Sequence, residues 1–269
     1  MKAKKTRAKP KRYPSDLTRN QWKKLKRLLP PAKPGGRPRS VNLREVLNGI
    51  FYIARGGGSW RMMPKDLPPW STCYDYFRKW RDDGTWSRAN DALRTRVRHR
   101  SKRKKSPSLG IIDTQSVKTT EQGGPRGKDA HKKVNGRKRH LVVDTLGMVV
   151  AAVVHSAGIQ DRDGSALVLD RIRQRFPWLE LVWADSGYNA HQVKDVVAKS
   201  PGLRLEIVKR TDDMKGFVVL PRRWVVERTF SWFGRNRRLA KDYETLADTL
   251  AAFVTLAAIQ FALRRLARA

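Results

Sequence analysis

Three apolar runs of strand length follow one another from residue 108: LGIIDTQSV, in which the run ends on Asp113, then RHLVVDT and MVVAAVVHS on either side of Leu146-Gly147. The dipeptide between the last two reads as a tight turn joining a strand pair. Helical spacing then alternates with further strand-like runs. Ser165 to Phe176 reads as a helix stopped by Pro177, LELVWAD as a strand ending on Asp185, His191 to Ala198 as a short helix and LRLEIVKR as a strand. Pro221 stands just before a long helix that contains Glu227, and a last helix is expected from Tyr243 to Ala267 with Leu246, Leu250, Phe253, Leu256 and Ala257 as its packing stripe. Three strands followed by alternating helices and strands can bury their apolar faces only as a mixed sheet with helices on its faces, which places this half of the chain in the α/β class.

The preceding hundred residues carry a different pattern. Leu17, Leu25, Leu28 and Leu29, and then Leu43, Val46, Leu47, Ile50 and Ile53, recur at helical spacing, and Gly56 to Gly58 stop the second helix. After Pro68-Pro69, Ser71 or Thr72 can cap a third helix that aligns Cys73, Phe77 and Trp80 on an apolar face, with Arg78, Lys79 and Arg81 on the others. Two readings stay open for this region: a helix-turn-helix module that lays its second helix in the major groove, or a helical cap with a structural role only. From Arg94 to Lys105 there are eight basic residues and no acidic one, and Pro107 follows, so the composition shift marks a linker. The expected organisation is a basic arm over 1–14, a helical domain over 15–100 that is DNA-binding on the first of these readings, a basic linker over 101–107 and the α/β unit with its C-terminal helix over 108–269.

Charge narrows the partner. The 269 residues hold 59 Lys and Arg against 24 acids, a formal charge of +35, which points to a polyanion and first to nucleic acid. Phosphate neutralisation is independent of sequence and of chemistry, so charge by itself does not separate an enzyme from a binding protein. Nine Trp residues argue against a largely disordered basic chain. The single cysteine, Cys73, excludes an internal disulfide and a multi-cysteine metal site and fits a reducing compartment. The basic N-terminus has no apolar core behind it, and the longest apolar stretch, Thr249 to Leu263, is interrupted by Gln260. The expectation is a soluble, cytoplasmic protein with no membrane partner and no small-molecule cofactor.

Two apolar runs that each end on an aspartate raise the question of chemistry. Ligands gather at the carboxyl ends of parallel strands, and a carboxylate half-buried there is costly unless it is paired or metal-bound. Asp113 and Asp185 hold such positions, although either aspartate alone could simply begin a turn or cap a helix. Around Glu227, at about 100° per residue, Arg223, Ser231 and Arg238 share its face, and Val225, Thr229, Trp232, Phe233 and Leu239 lie on the opposite arc. The same arc would also suit a surface glutamate in an arginine-rich salt-bridge row. Asp144 reads as a turn residue, and Asp161 and Asp163 as caps of the helix that follows them. Lys118 to Arg139 carries eight Lys or Arg against Glu121 and Asp129 alone; it either flanks substrate phosphates or is a hairpin edge guarded by lysine.

The blocks GGSWRMMPKDLPPWSTCYDYFRKWRDDG, IIDTQSVK, HKKVNGRKRHLVVDTLG, DRDGSALVL, WADSGY and WVVERTFSWFGRNRRLAKDYE, in this order over nearly the whole chain, resemble the DDE-class transposases of bacterial insertion sequences, in the insertion-sequence-five group. The resemblance implies a ribonuclease-H-like catalytic domain of the insertion-sequence-four type, with Asp113, Asp185 and Glu227 as catalytic triad and metal ligands. It implies Mg²⁺, with Mn²⁺ as a substitute, as a pair of ions; three hard carboxylates suffice to hold them without cysteine or histidine. It further implies cleavage and joining of DNA strands at element ends and target, and a homodimer in the synaptic complex. The basic candidates for DNA contact are Lys132, Lys133, Arg137, Lys138, Arg139, Arg223, Arg228, Arg235 and Arg238. One departure concerns the group's signature around the glutamate: Arg223 matches, but Leu220 stands in place of Tyr and Gly234 in place of Lys, with Arg235 one residue further on. A repressor that only binds DNA would not need the triad, and another nuclease of the same fold would not need an end-binding module. The His and Tyr arrangements of tyrosine recombinases and histidine-pair relaxases are not found.

Overall fold

The computed structural model describes residues 13–32, 34–35, 38–121, 124–189, 191–199, 202–208 and 221–267; residues 1–12 of the basic arm and Leu220 lie outside them. Four helices come first: α1 (Arg19–Lys26), α2 (Leu43–Gly56), α3 (Trp70–Asp82) and α4 (Thr85–Arg100). Helix α1 starts in a capping box, in which Thr18 and Gln21 each satisfy the other's backbone N–H. Helix α2 ends where Gly57 adopts φ +80°, as the glycine run predicts. Helix α3 starts at Trp70 after Pro69, without the side-chain cap expected from Ser71 or Thr72.

Helix α4 takes in the first part of the basic stretch. The basic stretch from Arg94 is helical as far as Arg100, because Arg94 and Arg98 are buried and paired: Arg94 donates to Asp91 and to the Val149 carbonyl, and Arg98 to Asp144 at 2.7 Å. Asp144 is the turn residue expected, accepting from the Leu146 and Met148 N–H groups, and is in addition the buried counter-ion of α4.

The sheet follows, with β1 (Leu109–Lys118), β2 (Gly127–Asp129), β3 (Val134–Val143), β4 (Val149–Ser156), β5 (Leu181–Ala184) and β6 (Arg204–Ile207), interleaved with α5 (Asp161–Arg175), α6 (His191–Ala198), α7 (Pro221–Phe233) and α8 (Ala247–Ala267). Strand β3 is antiparallel to β1, β2 and β4, and β1 runs parallel to β5 and β5 to β6. The order β3-β1-β5-β6, with β4 on β3, is that of a ribonuclease-H-like mixed sheet. Side chains alternate across it. Ile111, Leu141 and Val143 face one apolar cluster with α7 and α8, while Ile112, Val142 and Val150 face another with α5.

Helices α1 to α4 belong to the first of these clusters, where Leu25, Leu47, Phe77, Trp86 and Leu93 join Leu250, Phe253 and Leu263 of α8. Thus the helical region and the α/β unit share one core across the boundary read from composition. The physical reason lies in α8. By length and composition it could cross a membrane, being apolar on nearly every side, and here the N-terminal helices and the sheet cover it together.

Four boundaries move. Strand β1 runs past Asp113 to Lys118, α5 begins at Asp161 rather than Ser165, α7 stops at Phe233, and α8 starts at Ala247 rather than Tyr243. Arg238 and Leu239 therefore leave the helix of Glu227 for a separate 3-10 turn, Arg237–Leu239.

Candidate active site

Register brings the two aspartates together. Ile111 of β1 pairs with Trp183 of the parallel β5, and Asp113 and Asp185 each lie two residues further along, so they are neighbours on one face at the end of the parallel pair. That face is the one covered by α7, since Ile111 packs into the cluster that includes Val226 and Phe230. Asp185 does act as a cap: its Oδ1 accepts the Gly187 N–H at 2.9 Å in the turn Ser186–Tyr188. Its Oδ2 faces Arg223 of α7, whose Nη2 lies 3.4 Å away and also 3.8 Å from Oε1 of Glu227. One guanidinium thus links the second and third carboxylates.

Asp113 accepts the Thr114 N–H at 2.8 Å. Burial pushes its carboxyl up from 3.8 to about 6, and the negative charge of Asp185 adds to the rise, against the Thr114 N–H, Arg223 and Lys132. Among the described residues no three His, Cys, Asp or Glu side chains converge closely enough to hold a metal ion. Asp113 and Asp185 come together directly; Glu227 is joined to them through Arg223.

Behind the aspartates lies a buried polar layer that sequence reasoning missed. Thr114 Oγ1 donates to Asp161 Oδ2 at 3.0 Å, and Lys138 Nζ lies 2.8 Å from Asp161 Oδ1, so Asp161 ties α5 to β1 and β3 rather than capping its own helix. Tyr188 is buried, its phenol raised well above the usual range by burial and by Asp113, Asp161 and Asp185, and its hydroxyl is hydrogen-bonded with His140 Nδ1 at 3.2 Å. Burial, with His155 beside it, lowers His140 to about 3 and leaves it neutral. The period of two in KRH, which puts Lys138 and His140 on one face of β3 and Arg139 on the other, is the sequence signal that could have found this layer.

The basic candidates divide. Arg137 is fully buried and donates to Asp242 and to the carbonyls of Pro125, Glu244 and Thr245. Arg139 donates to the Leu239 carbonyl and Gln115, Lys138 is paired with Asp161, and Arg238 is paired with Glu244. The expectation that Arg137, Lys138, Arg139 and Arg238 contact DNA is corrected: β3 is covered on both faces, and their charges are used inside the molecule. Lys132, Lys133 and Arg235 are exposed, Arg228 lies over the Trp232 ring at 4.7 Å, and Arg223 is held between its two acids.

The family described as "Transposase DDE domain" matches residues 104–261, which include all three carboxylates. Residues 17–90 match a domain described provisionally as a transposase of the IS4/5 family. A Burkholderia cepacia protein carrying the provisional name of transposase for insertion sequence element IS402 is 30% identical over 140 residues, 49% of this chain and 64% of the relative. A second protein of that organism, the "Insertion element IS402 uncharacterized 16.2 kDa protein", is 29% identical over 115 residues, 40% of this chain and 76% of its own length. The matched region thus spans less than two thirds of the first relative. With the DDE domain covering more than half of its length over a ribonuclease-H-like sheet, the chain belongs to the DDE transposase family.

Proposed function

We propose that this protein cuts DNA strands at the ends of an insertion sequence and joins them to target DNA, with Asp113, Asp185 and Glu227 as the catalytic carboxylates. The observation that carries this reading is the shared register of Asp113 and Asp185 on the α7 face, where burial and the charge of Asp185 raise the Asp113 carboxyl. The donors are hard oxygens throughout, which suits Mg²⁺ or Mn²⁺. Arg223 supplies the positive charge between Asp185 and Glu227, so Glu227 completes the set when the guanidinium turns away. Asp113, Asp185 and Glu227 would hold the divalent metal, which would supply activation of the attacking oxygen and neutralisation of the leaving one. The chain's own part is to hold the oxygens in place. The Thr114 N–H fixes Asp113 and the Gly187 N–H fixes Asp185. Arg223, once released, is within reach of the incoming phosphate.

On this reading residues 15–100 recognise element ends, residues 108–269 carry the chemistry, and a homodimer acting in the cytoplasm pairs two ends. The test is incubation of the purified protein with Mg²⁺ and duplexes carrying candidate element ends, followed by sequencing of the products. Cleaved and joined strands are expected, and Asp113→Asn, Asp185→Asn and Glu227→Gln should each abolish them while leaving DNA binding intact. A variant that keeps near-wild-type cleavage removes that residue from the triad, and full cleavage in excess chelator overturns the metal.

A further inference from the structure

Four of the nine basic residues expected to meet DNA are used internally, which leaves Lys132, Lys133, Arg223, Arg228 and Arg235 of that set. We infer that a groove at the far end of β1, lined by Lys118, Arg126, Lys133 and Lys241, binds the backbone phosphates of duplex DNA flanking the active site. This rests on the proposed function for its orientation. Lys118, Arg126 and Lys133 fall in the basic segment that the sequence offers either as a phosphate flank or as a guarded hairpin edge, and Lys241 joins them from a distant part of the chain.

The groove measures about 660 Å³, and its lining sets four cations against Glu121 alone. All four cations are exposed, and none has a carboxylate partner among the described residues, in contrast to Arg137, Lys138 and Arg238. Arg126 Nη1 donates to the Thr120 carbonyl at 3.3 Å, which leaves the rest of its guanidinium facing solvent. Such an arrangement is costly in self-repulsion and is relieved by a polyanion.

The groove is also built. The Asp242 N–H donates to the Lys118 carbonyl at 2.8 Å, and the Thr120 N–H donates back to the Asp242 carbonyl at 3.1 Å, which fixes Lys241 beside the end of β1. Asp242 is in turn anchored by the buried Arg137 at 2.8 Å. The internal arginine therefore holds the outer lysine in place. Lys133, also in the lining, sits at φ +52°, a left-handed conformation that a glycine or asparagine adopts more easily. A lysine there puts charge at the turn in spite of the strained backbone.

Distance gives the groove its place on DNA. Lys118 is five residues beyond Asp113 on one extended strand, about 17 Å at roughly 3.3 Å per residue. Along a DNA strand that corresponds to about five nucleotides at 3.4 Å each. Five is an odd number, so Lys118 faces the other side of the sheet from Asp113, and a duplex whose scissile phosphate lies at Asp113 would meet the groove where it passes the end of β1, about half a helical turn away.

The experiment uses the full chain and a short mixed-sequence duplex without divalent metal, so that binding is read apart from chemistry. Alanine at Lys118, Arg126, Lys133 and Lys241 together should lower the slope of log K against log salt by up to ~0.9 for each phosphate that is no longer neutralised, roughly 3 to 4 in all. Alanine at Lys199 and Arg204, beside β6, should leave the slope unchanged. An unchanged slope in the groove variant, or an equal fall per charge in both, overturns the inference. Position is read separately with Lys133→Cys carrying a photo-crosslinker, because burial pushes the native Cys73 thiol up to about 12 and leaves the new thiol as the reactive one. Crosslinks centred about five nucleotides from the cleaved bond are expected, and crosslinks scattered along the duplex count against the groove. A protein that shows the slope change but never cuts DNA would sink the strand-transfer reading and leave the groove standing; intact cleavage with an unchanged slope would do the reverse.

Discussion

Asp113 is held where its charged form is disfavoured, and the sign of that effect can be measured. With its carboxyl raised from 3.8 to about 6, Asp113 binds a proton more tightly in the folded chain than in the unfolded one. Below about pH 4 both states are protonated and nothing is lost; as pH rises through 6 the folded state loses up to about 3 kcal/mol. In chelator, Asp113→Asn should therefore raise the Tm near pH 8, with the gain fading to nothing near pH 4. Calorimetry at the two pH values checks this, and an unchanged Tm near pH 8 would mean that the carboxyl is not held high. Arg137 presents the opposite case, a buried charge fully partnered. Arg137→Ala should cost about 3–5 kcal/mol in denaturant unfolding by stranding Asp242. The exposed Lys133→Ala should stay within about 0.5 kcal/mol.

At the scale of elements, the position of Glu227 depends on how α7 meets the β3-β4 turn. Gly147 adopts φ +77° there, and a Cβ on it would come within 2.8 Å of Thr229 Oγ1 and 3.1 Å of the Trp232 ring. Thr229 also donates to the Gly147 carbonyl at 3.1 Å, so turn and helix are fitted to each other. Gly147→Ala should destabilise the protein by about 1–3 kcal/mol and, by shifting α7, reduce strand cleavage more than DNA binding. Equal loss of both activities would point to general unfolding instead. The sequence makes the turn legible as Leu146-Gly147, but its second role as a seat for α7 depends on two segments far apart in the chain, Gly147 and Thr229, meeting in space.

For the whole molecule, α8 decides how many folding units there are. Its buried residues, among them Leu250, Phe253, Leu256 and Leu263, are covered by α1 to α4 as well as by the sheet. A fragment spanning 108–269 should therefore fail to fold alone, exposing this helix and binding a hydrophobic dye, and the full chain should unfold in one transition. Two separate calorimetric transitions, or a soluble and cooperatively folded fragment, would restore the two-unit organisation read from composition.

Local pattern was enough for part of this. The alternation of apolar runs and helices makes the mixed sheet legible, because burial period and turn residues are properties of neighbouring positions. The same holds for α6, whose bounds match the expected His191–Ala198, and for the carboxylates at Asp113 and Asp185, conspicuous at the edge of apolar runs. What the pattern could not contain was the partner of each charge. Arg137, Lys138, Arg139 and Arg238 look like exposed basic residues in one dimension, and only the approach of Asp242, Asp161, Leu239 and Glu244 from other segments makes their burial tolerable. The core that the two regions share was illegible for the same reason. Composition shifts mark where charge accumulates along the chain, whereas a folding unit is set by which apolar surfaces close over one another, and for α8 that is decided in three dimensions.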